Sequence, residues 1–237
     1  MNWQLDHFVR VVTDLDAGIA FYRAQGFTVA PGGRHLNVGV ANALIALGDG
    51  CYVELFCFVE PDKAPRSHSS WPIHARGGGF GSFWFFVTDV DAEVARVRAA
   101  GVALEDPRAG GRLRPDGYEI KWRLAVPAAD HLHVPALIED VTPRAERAPP
   151  FSGHANGAER VAAFSLAVPD LARVRDFYSR LGVPAAKMSE TSVDTLVVHL
   201  DAAQLNFSKI AASSDQPGLQ AVELATTSGS RMRFPAF

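Results

Sequence analysis

The chain has 237 residues, 48% hydrophobic and 21% charged, with a formal net charge of −3. That is enough to bury one large core or two small ones, and the mildly acidic balance argues against a nucleic-acid partner, which would show as a basic domain. No uncharged apolar run reaches the roughly 18 residues needed to span a membrane, and no basic start followed by an apolar stretch marks a secretory leader.

The first predicted strand is Leu5 to Val12 and carries His7. Asp14 is a good N-cap for an amphipathic helix, with Leu15, Ile19, Phe21 and Tyr22 at helical spacing and Gly26 as its C-terminal stop. Phe27-Thr28-Val29 starts a second strand, Pro31-Gly32-Gly33 reads as a turn, and Ala41 to Leu47 is a short apolar strand. Gly48-Asp49-Gly50 is a hairpin turn into Cys51–Phe58, which carries Glu54. Cys51 and Cys57 lie about 20 Å apart on that strand at roughly 3.3 Å per residue, beyond disulfide reach. Two reduced, buried thiols and a cytoplasmic location are therefore expected. Residues 60–79 are rich in Pro, Ser, His and Gly and read as a loop.

The pattern then returns twice. Val87-Thr88-Asp89-Val90-Asp91-Ala92 repeats Val12-Thr13-Asp14-Leu15-Asp16-Ala17, and Gly101 repeats Gly26. A turn at Arg114-Pro115-Asp116-Gly117, a strand through Tyr118, Ile120 and Trp122, and a last strand from Val134 to Ile138 complete this copy. Residues 141–159 read as a linker. From Val161, Asp170-Leu171, Phe177-Tyr178 and Gly182 repeat the first helix again. Strands follow near Thr195–Leu200, Gln204–Ser208 and Leu219–Ala225, the last containing Val222-Glu223-Leu224, an echo of Val53-Glu54-Leu55. A supersecondary unit repeated at fixed shifts predicts an α+β chain of three tandem βαβββ modules. The expected boundaries are 1–59, 80–140 and 160–237, with 60–79 and 141–159 as connections.

Leu5-Asp6-His7, Gly26-Phe27-Thr28-Val29, Pro31-Gly32-Gly33-Arg34-His35, Ala41-Asn42-Ala43-Leu44-Ile45, Gly48-Asp49-Gly50 and Tyr52-Val53-Glu54-Leu55 together resemble the vicinal oxygen chelate superfamily, in its glyoxalase-like branch. Arg112, Arg114-Pro115-Asp116-Gly117, Trp122 and Pro135-Ala136-Leu137-Ile138 carry the likeness through the second module. The resemblance implies paired modules forming a cup-shaped curved sheet, helices outside, with a divalent metal held by the first and last strands of each module. Carried over, His7 and Glu54 occupy the first module's ligand positions. Ser82 and Pro135 fall where the second pair would stand, and Ala163 replaces the histidine in the third module, so the four-ligand set is incomplete.

Strand alternation places Tyr52, Glu54 and Phe56 on one face. A carboxylate among aromatics is costly to bury without a cation or donor. Glu54 therefore reads as a metal ligand or as a general base whose pKa burial raises, the plainer alternative being a salt bridge to Arg10 or Arg34. His7 shares a predicted face with Leu5, Val9 and Val11, where a histidine is ordinarily a satisfied core residue; Glu54 at the matching position makes it a candidate ligand and catalytic partner. Imidazole plus carboxylate suits zinc, iron, manganese or nickel, and a third ligand would complete a facial triad. His35 is the candidate third ligand and a pocket residue. His74, His131 and His133 read as exposed. Arg112 and Arg114 could hold a substrate carboxylate and Trp122 could wall the cavity, the alternative being a solvated hairpin edge. Asn42 could orient substrate or His35. Gly77-Gly78-Gly79 lacks the ending of a phosphate loop, so no nucleotide cofactor is expected.

Two functions remain open: a small-molecule enzyme with metal-assisted lyase, isomerase or dioxygenase chemistry, and a metal-free binding protein that sequesters a small apolar molecule. The unpaired third module is expected to pair across a homodimer interface, the favoured reading, or to pack as a lid.

Overall fold

A computed structural model describes residues 3–36, 39–127, 133–201, 203–210 and 216–237. Its first half is β1 (Gln4–Val11), α1 (Leu15–Ala24), β2 (Ala30–His35), β3 (Val40–Ala46) and β4 (Tyr52–Phe58). The α1 start is set by Asp14, whose carboxylate accepts from the Ala17 amide at 3.0 Å. Within the 60–79 stretch, read as plain loop, a five-residue helix forms, α2 (Trp71–Ala75). Next come β5 (Gly79–Phe86), α3 (Val90–Ala99), β6 (Arg108–Leu113), β7 (Glu119–Ala125) and β8 (Ala136–Asp140). Asp89 caps α3 as Asp14 caps α1.

These eight strands close into a barrel in the order β1-β4-β3-β2-β6-β7-β8-β5. Each half pairs its first and last strands in parallel, β1 with β4 and β5 with β8. The halves meet where β1 runs antiparallel to β5 and where β2 meets β6. At the second junction Gly33 has φ +139°, and a Cβ there would fall 2.1 Å from the Leu113 carbonyl oxygen. Gly33→Ala should therefore cost roughly 2 kcal/mol or more, through backbone strain and a parted junction, as a lowered urea midpoint. A midpoint unchanged from wild type would show that the junction has slack.

Residues after 140 do more than link. A short helix, α4 (Arg144–Arg147), folds back on the barrel, and the chain continues as β9 (Ala158–Val168) and α5 (Leu171–Arg180). Strands β10 (Met188–Ser192), β11 (Thr195–His199), β12 (Gln204–Lys209), β13 (Gly218–Thr226) and β14 (Arg231–Arg233) complete a six-stranded sheet, ordered β10-β11-β12-β9-β13-β14. This sheet covers the barrel wall: Phe164 packs edge-on to Phe8 at 5.8 Å and against Phe83 at 5.3 Å.

The strand assignment in this region needs correction. β12 lies parallel to β9, as β4 lies to β1, so β12 and not β13 is the strand corresponding to β4. In register, Tyr52 stands beside His7 and Gln204 beside Ala163, which gives Asn206 the place of Glu54. Glu223 lies on the other side of β9 and pairs with Arg231 at 3.0 Å, both half in solvent. The Val-Glu-Leu echo was a coincidence of strand composition. Cys51 and Cys57 are free and buried. No helix among the described residues is long and apolar enough to cross a membrane.

Candidate active site in the barrel

The barrel interior is built by alternation. Tyr52, Glu54 and Phe56 of β4 point inward, beside Asn42 of β3 and His35 of β2. The β2–β6 junction sets His35 directly across from Arg112. From the second half come Ser82 and Trp84 on β5, Trp122 and Leu124 on β7, and Ile138 on β8. Together they enclose a cavity of about 170 Å³, slightly larger than one that accepts benzene.

On β1 simple alternation fails. The pairing with β5 shifts register between Leu5 and His7, so Leu5 joins the outer core while His7 faces the cavity with Val9. The irregularity also lets Asp6 reach His7: Asp6 Oδ1 lies 2.5 Å from His7 Nδ1. The imidazole is clamped between Tyr52 and Trp84, stacked at 4.8 and 5.1 Å.

Glu54 is the centre of the site. Asn42 Nδ2 donates to Oε1 at 2.6 Å, His35 Nε2 lies 3.1 Å from the same oxygen, and His7 Nε2 lies 3.6 Å from Oε2. Burial alone would raise its pKa. Hydrogen bonding and charge from His35, then His7 and Asn42, outweigh burial and hold it at about 2, against the usual 4.5. This reverses the expected general base with a raised pKa: Glu54 is a carboxylate throughout the working range. The arginines proposed as its plain partners are elsewhere, Arg34 paired with Glu60 and Arg10 bound to the Phe237 backbone.

Three residues that the sequence did not single out complete the arrangement. Asp6, fully buried, takes hydrogen bonds from Arg147 at 3.0 and 2.5 Å and another from Arg144. Burial would raise the Asp6 carboxyl; the Arg147 guanidinium and then His7 hold it well below the usual carboxylate range. Arg147 also donates to the Tyr52 hydroxyl at 2.7 Å and to Asp140 at 2.5 Å. The third, His68, stands at the cavity wall against Phe56, where burial lowers its pKa to about 4 and keeps it neutral. Only Asp6 carried a readable signal, as the neighbour of His7.

Of the remaining candidates, Arg112 is buried and lines the cavity. One of its nitrogens donates to the Arg147 carbonyl, while its Nε has no partner among the described residues. Trp122 meets His35 edge-on at 5.7 Å. Arg114 lies outside the cavity, on the exposed hairpin, with its guanidinium on Asp116. His74 packs against Phe58. His133 is buried far from the site, its carbonyl accepting from Tyr178 at 2.9 Å, and His131 lies outside the described residues.

Two imidazoles and a carboxylate approach one another, but through contacts centred on Glu54, whose Oε1 is also taken by Asn42. Among the described residues no three of His, Cys, Asp or Glu surround a common point at ligand distance. The strands of the second half line the cavity with the Ser82 hydroxyl and with Trp84, Trp122, Leu124 and Ile138, and among the described residues add no imidazole or carboxylate there. As it stands, the site does not fit as a metal cage.

The family model described as Glyoxalase-like domain matches residues 5–182. A solved protein from Staphylococcus aureus, described as hypothetical, matches over 99% of this chain and 100% of its own, with 13% identity and a TM-score of 0.69. Methylmalonyl-CoA epimerase from Streptomyces coelicolor, in complex with 2-nitronate-propionyl-CoA, is 26% identical over 59% of this chain and 98% of its own (TM-score 0.43). The Mycobacterium tuberculosis epimerase is 22% identical over 61% of this chain and 92% of its own (TM-score 0.44). No curated protein matches the sequence.

Proposed function

We infer, for a chain that belongs to the glyoxalase-like domain family and so to the vicinal oxygen chelate superfamily, that the barrel is an acid–base active site for a small oxygenated substrate. The observation that supports this is an anionic carboxylate held between two imidazoles on one side of a small cavity, with the Arg112 cation on another.

Glu54 is too acidic to take a proton near neutrality. Its role in this reading is that of the carboxylate in a catalytic triad: it orients imidazole and stabilises the imidazolium that forms. His35, less buried than His7, carries the proton to or from substrate. His7, locked by Asp6 and two aromatic faces, supports the carboxylate from behind. The Arg112 guanidinium, which lines the cavity, binds a substrate oxygen, because a buried cation gains most from an anionic acceptor. Trp84, Trp122 and Phe56 exclude water. The reaction class is proton transfer beside a carbonyl, of lyase or isomerase type.

Incubating the protein in D2O with small 2-oxo acids and 1,2-dicarbonyls, and following loss of the Cα–H signal by NMR, tests this. At least one compound should exchange 10²-fold or more above buffer, and His35→Ala should remove the excess. Exchange at the buffer rate across the panel would leave the binding-protein alternative.

A second reading has one observation in its favour. Asp6 on Nδ1 leaves Nε2 of His7 directed at Glu54, as a carboxylate orients a histidine ligand. His7, Glu54 and His35 are the residues that would hold zinc, iron, manganese or nickel in this reading, although their spacing here is not that of a cage. Elemental analysis of protein purified without chelator separates the two: one equivalent of metal, lost in Glu54→Ala, selects the second reading. The proposal takes 1–59 and 80–140 as the two halves of the cup and 160–237 as a third βαβββ unit. The homodimer remains part of it.

A further inference from the structure

Three imidazoles line the barrel cavity, and two of them belong to the carboxylate network. His7 has one nitrogen on Asp6 and the other toward Glu54, and His35 has Nε2 on Glu54. His68 stands outside that network, in the segment between β4 and α2. Its ring walls both the barrel cavity and a larger one of about 930 Å³ beside it. The ring is held in place from several sides. The His68 amide donates to the Pro65 carbonyl at 2.9 Å, and its carbonyl accepts from the Trp71 amide at 2.8 Å. The imidazole packs on Phe56 and meets Phe58 edge-on, with ring centres 5.2 and 5.4 Å away.

The protonation of this ring follows from its contacts. The amide of buried Ser70 donates to His68 Nδ1 at 3.1 Å. That nitrogen therefore presents its lone pair, and in the neutral ring the proton sits on Nε2. Burial first, then the charges of His35 and Arg108, outweigh Glu54 and lower the pKa from 6.5 to about 4, so the ring is neutral near pH 7. Nε2 has no acceptor among the described residues, and it is not sealed off from the cavities the ring lines. A fixed, uncharged N–H beside a base suits a carbonyl oxygen that gains negative charge during reaction. Such a donor grips the neutral carbonyl weakly and the enolate strongly, which is the difference that speeds a reaction. Neutral imidazole polarising a carbonyl is an established pattern in proton-transfer enzymes.

We propose that His68 is a further catalytic residue, its Nε2–H donating to the carbonyl oxygen of the substrate while Arg112 holds another oxygen. The proposal rests on the acid–base reading of the barrel. The proton on the carbon beside the carbonyl passes to His35. The C–H electron pair becomes the carbon–carbon double bond, and the carbonyl π pair moves onto the oxygen at His68. Return of the proton from His35 reverses each shift, and nothing is oxidised or reduced.

The test uses the full chain with 15N-labelled histidine. NMR at pH 7 should show His68 protonated at Nε2 and bare at Nδ1. Oxalate, which matches the enolate of pyruvate in shape and charge, should shift the Nε2 signal saturably and bind more tightly than pyruvate. His68→Asn keeps an acceptor for the Ser70 amide but loses the donor. It should weaken oxalate about tenfold or more, and pyruvate less. It should also lower kcat for hydrogen exchange at the pyruvate methyl about 10²-fold with KM little changed. His68→Gln, which carries an N–H at the reach of Nε2, should recover most of both losses. Full function in His68→Asn, a bare Nε2, or an Nε2 signal indifferent to oxalate would overturn the proposal. Exchange that depends on His35 but not on His68 would overturn it and leave the acid–base reading standing. Oxalate on His68 with no exchange at all would overturn the acid–base reading, and with it the catalytic step.

Discussion

Arg147→Ala should destabilise the protein by about 3–5 kcal/mol, the cost of leaving one partner of a buried ion pair alone. Arg147 is among the largest fully buried side chains, and it arrives from α4, outside the eight barrel strands it holds. Its guanidinium meets Asp6, Asp140 and the Tyr52 hydroxyl, tying β1, β8 and β4 together. Truncation leaves the Asp6 carboxylate with His7 and the half-exposed Arg144 only. Asp6→Asn with Arg147→Met should cost less than the two single changes summed, because neither leaves a buried charge once both are made. The pH dependence carries a sign. Asp6 has a depressed pKa, so its contribution is complete above the unfolded value of 3.8 and is lost as pH falls through the folded value. Wild type should therefore lose stability from about pH 4 downward, and Arg147→Ala should lose less over the same interval. Urea midpoints at pH 7 and pH 3 measure both. A loss under about 1 kcal/mol at pH 7 would mean water already reaches the pair.

What the sequence made legible was whatever repeats or alternates. Asp14, Asp89 and Asp170 each cap a helix, and the interior faces of β3 and β4 follow from period two. Glu54 and Asn42 stood out as polar side chains on apolar strands, and His7 and His35 through the family resemblance, which gave them places in the first module. The misses come from irregularity. A register shift on β1 sent Leu5 outward and let Asp6 join His7. Arg147 sits in a Pro-rich stretch that reads as a connection, and nothing local shows that it returns to the barrel. Glu223 matched a three-residue pattern but fell on the wrong side of β9, since strand order is settled by long-range pairing. Arg112 and Arg114, two apart on one hairpin, have opposite fates: the β2–β6 junction buries the first, and the second lies just beyond the strand end.

Glu54→Gln should reduce turnover by two to four orders of magnitude while leaving substrate affinity nearly intact. Glutamine keeps the volume and one acceptor oxygen, so Asn42 can still donate to it. What it loses is the charge that stabilises imidazolium on His35, and that charge matters only as the proton moves. The loss should therefore fall on kcat and not on KM. Stability should move as well. A carboxyl lowered from 4.5 to about 2 contributes about 3 kcal/mol above pH 4.5, all of it lost as pH falls through 2. Wild type and Glu54→Gln should thus differ in stability at pH 7 and converge near pH 2, a readout independent of any substrate. The activity profile adds a separate check. Because Glu54 stays ionised, the acid limb of wild-type kcat should show no break near 4.5, and Glu54→Gln should not remove one. A break there that vanishes in the variant would return Glu54 to the role of base. Unchanged kcat with raised KM would make it a binding residue, and the site a receptor for its ligand.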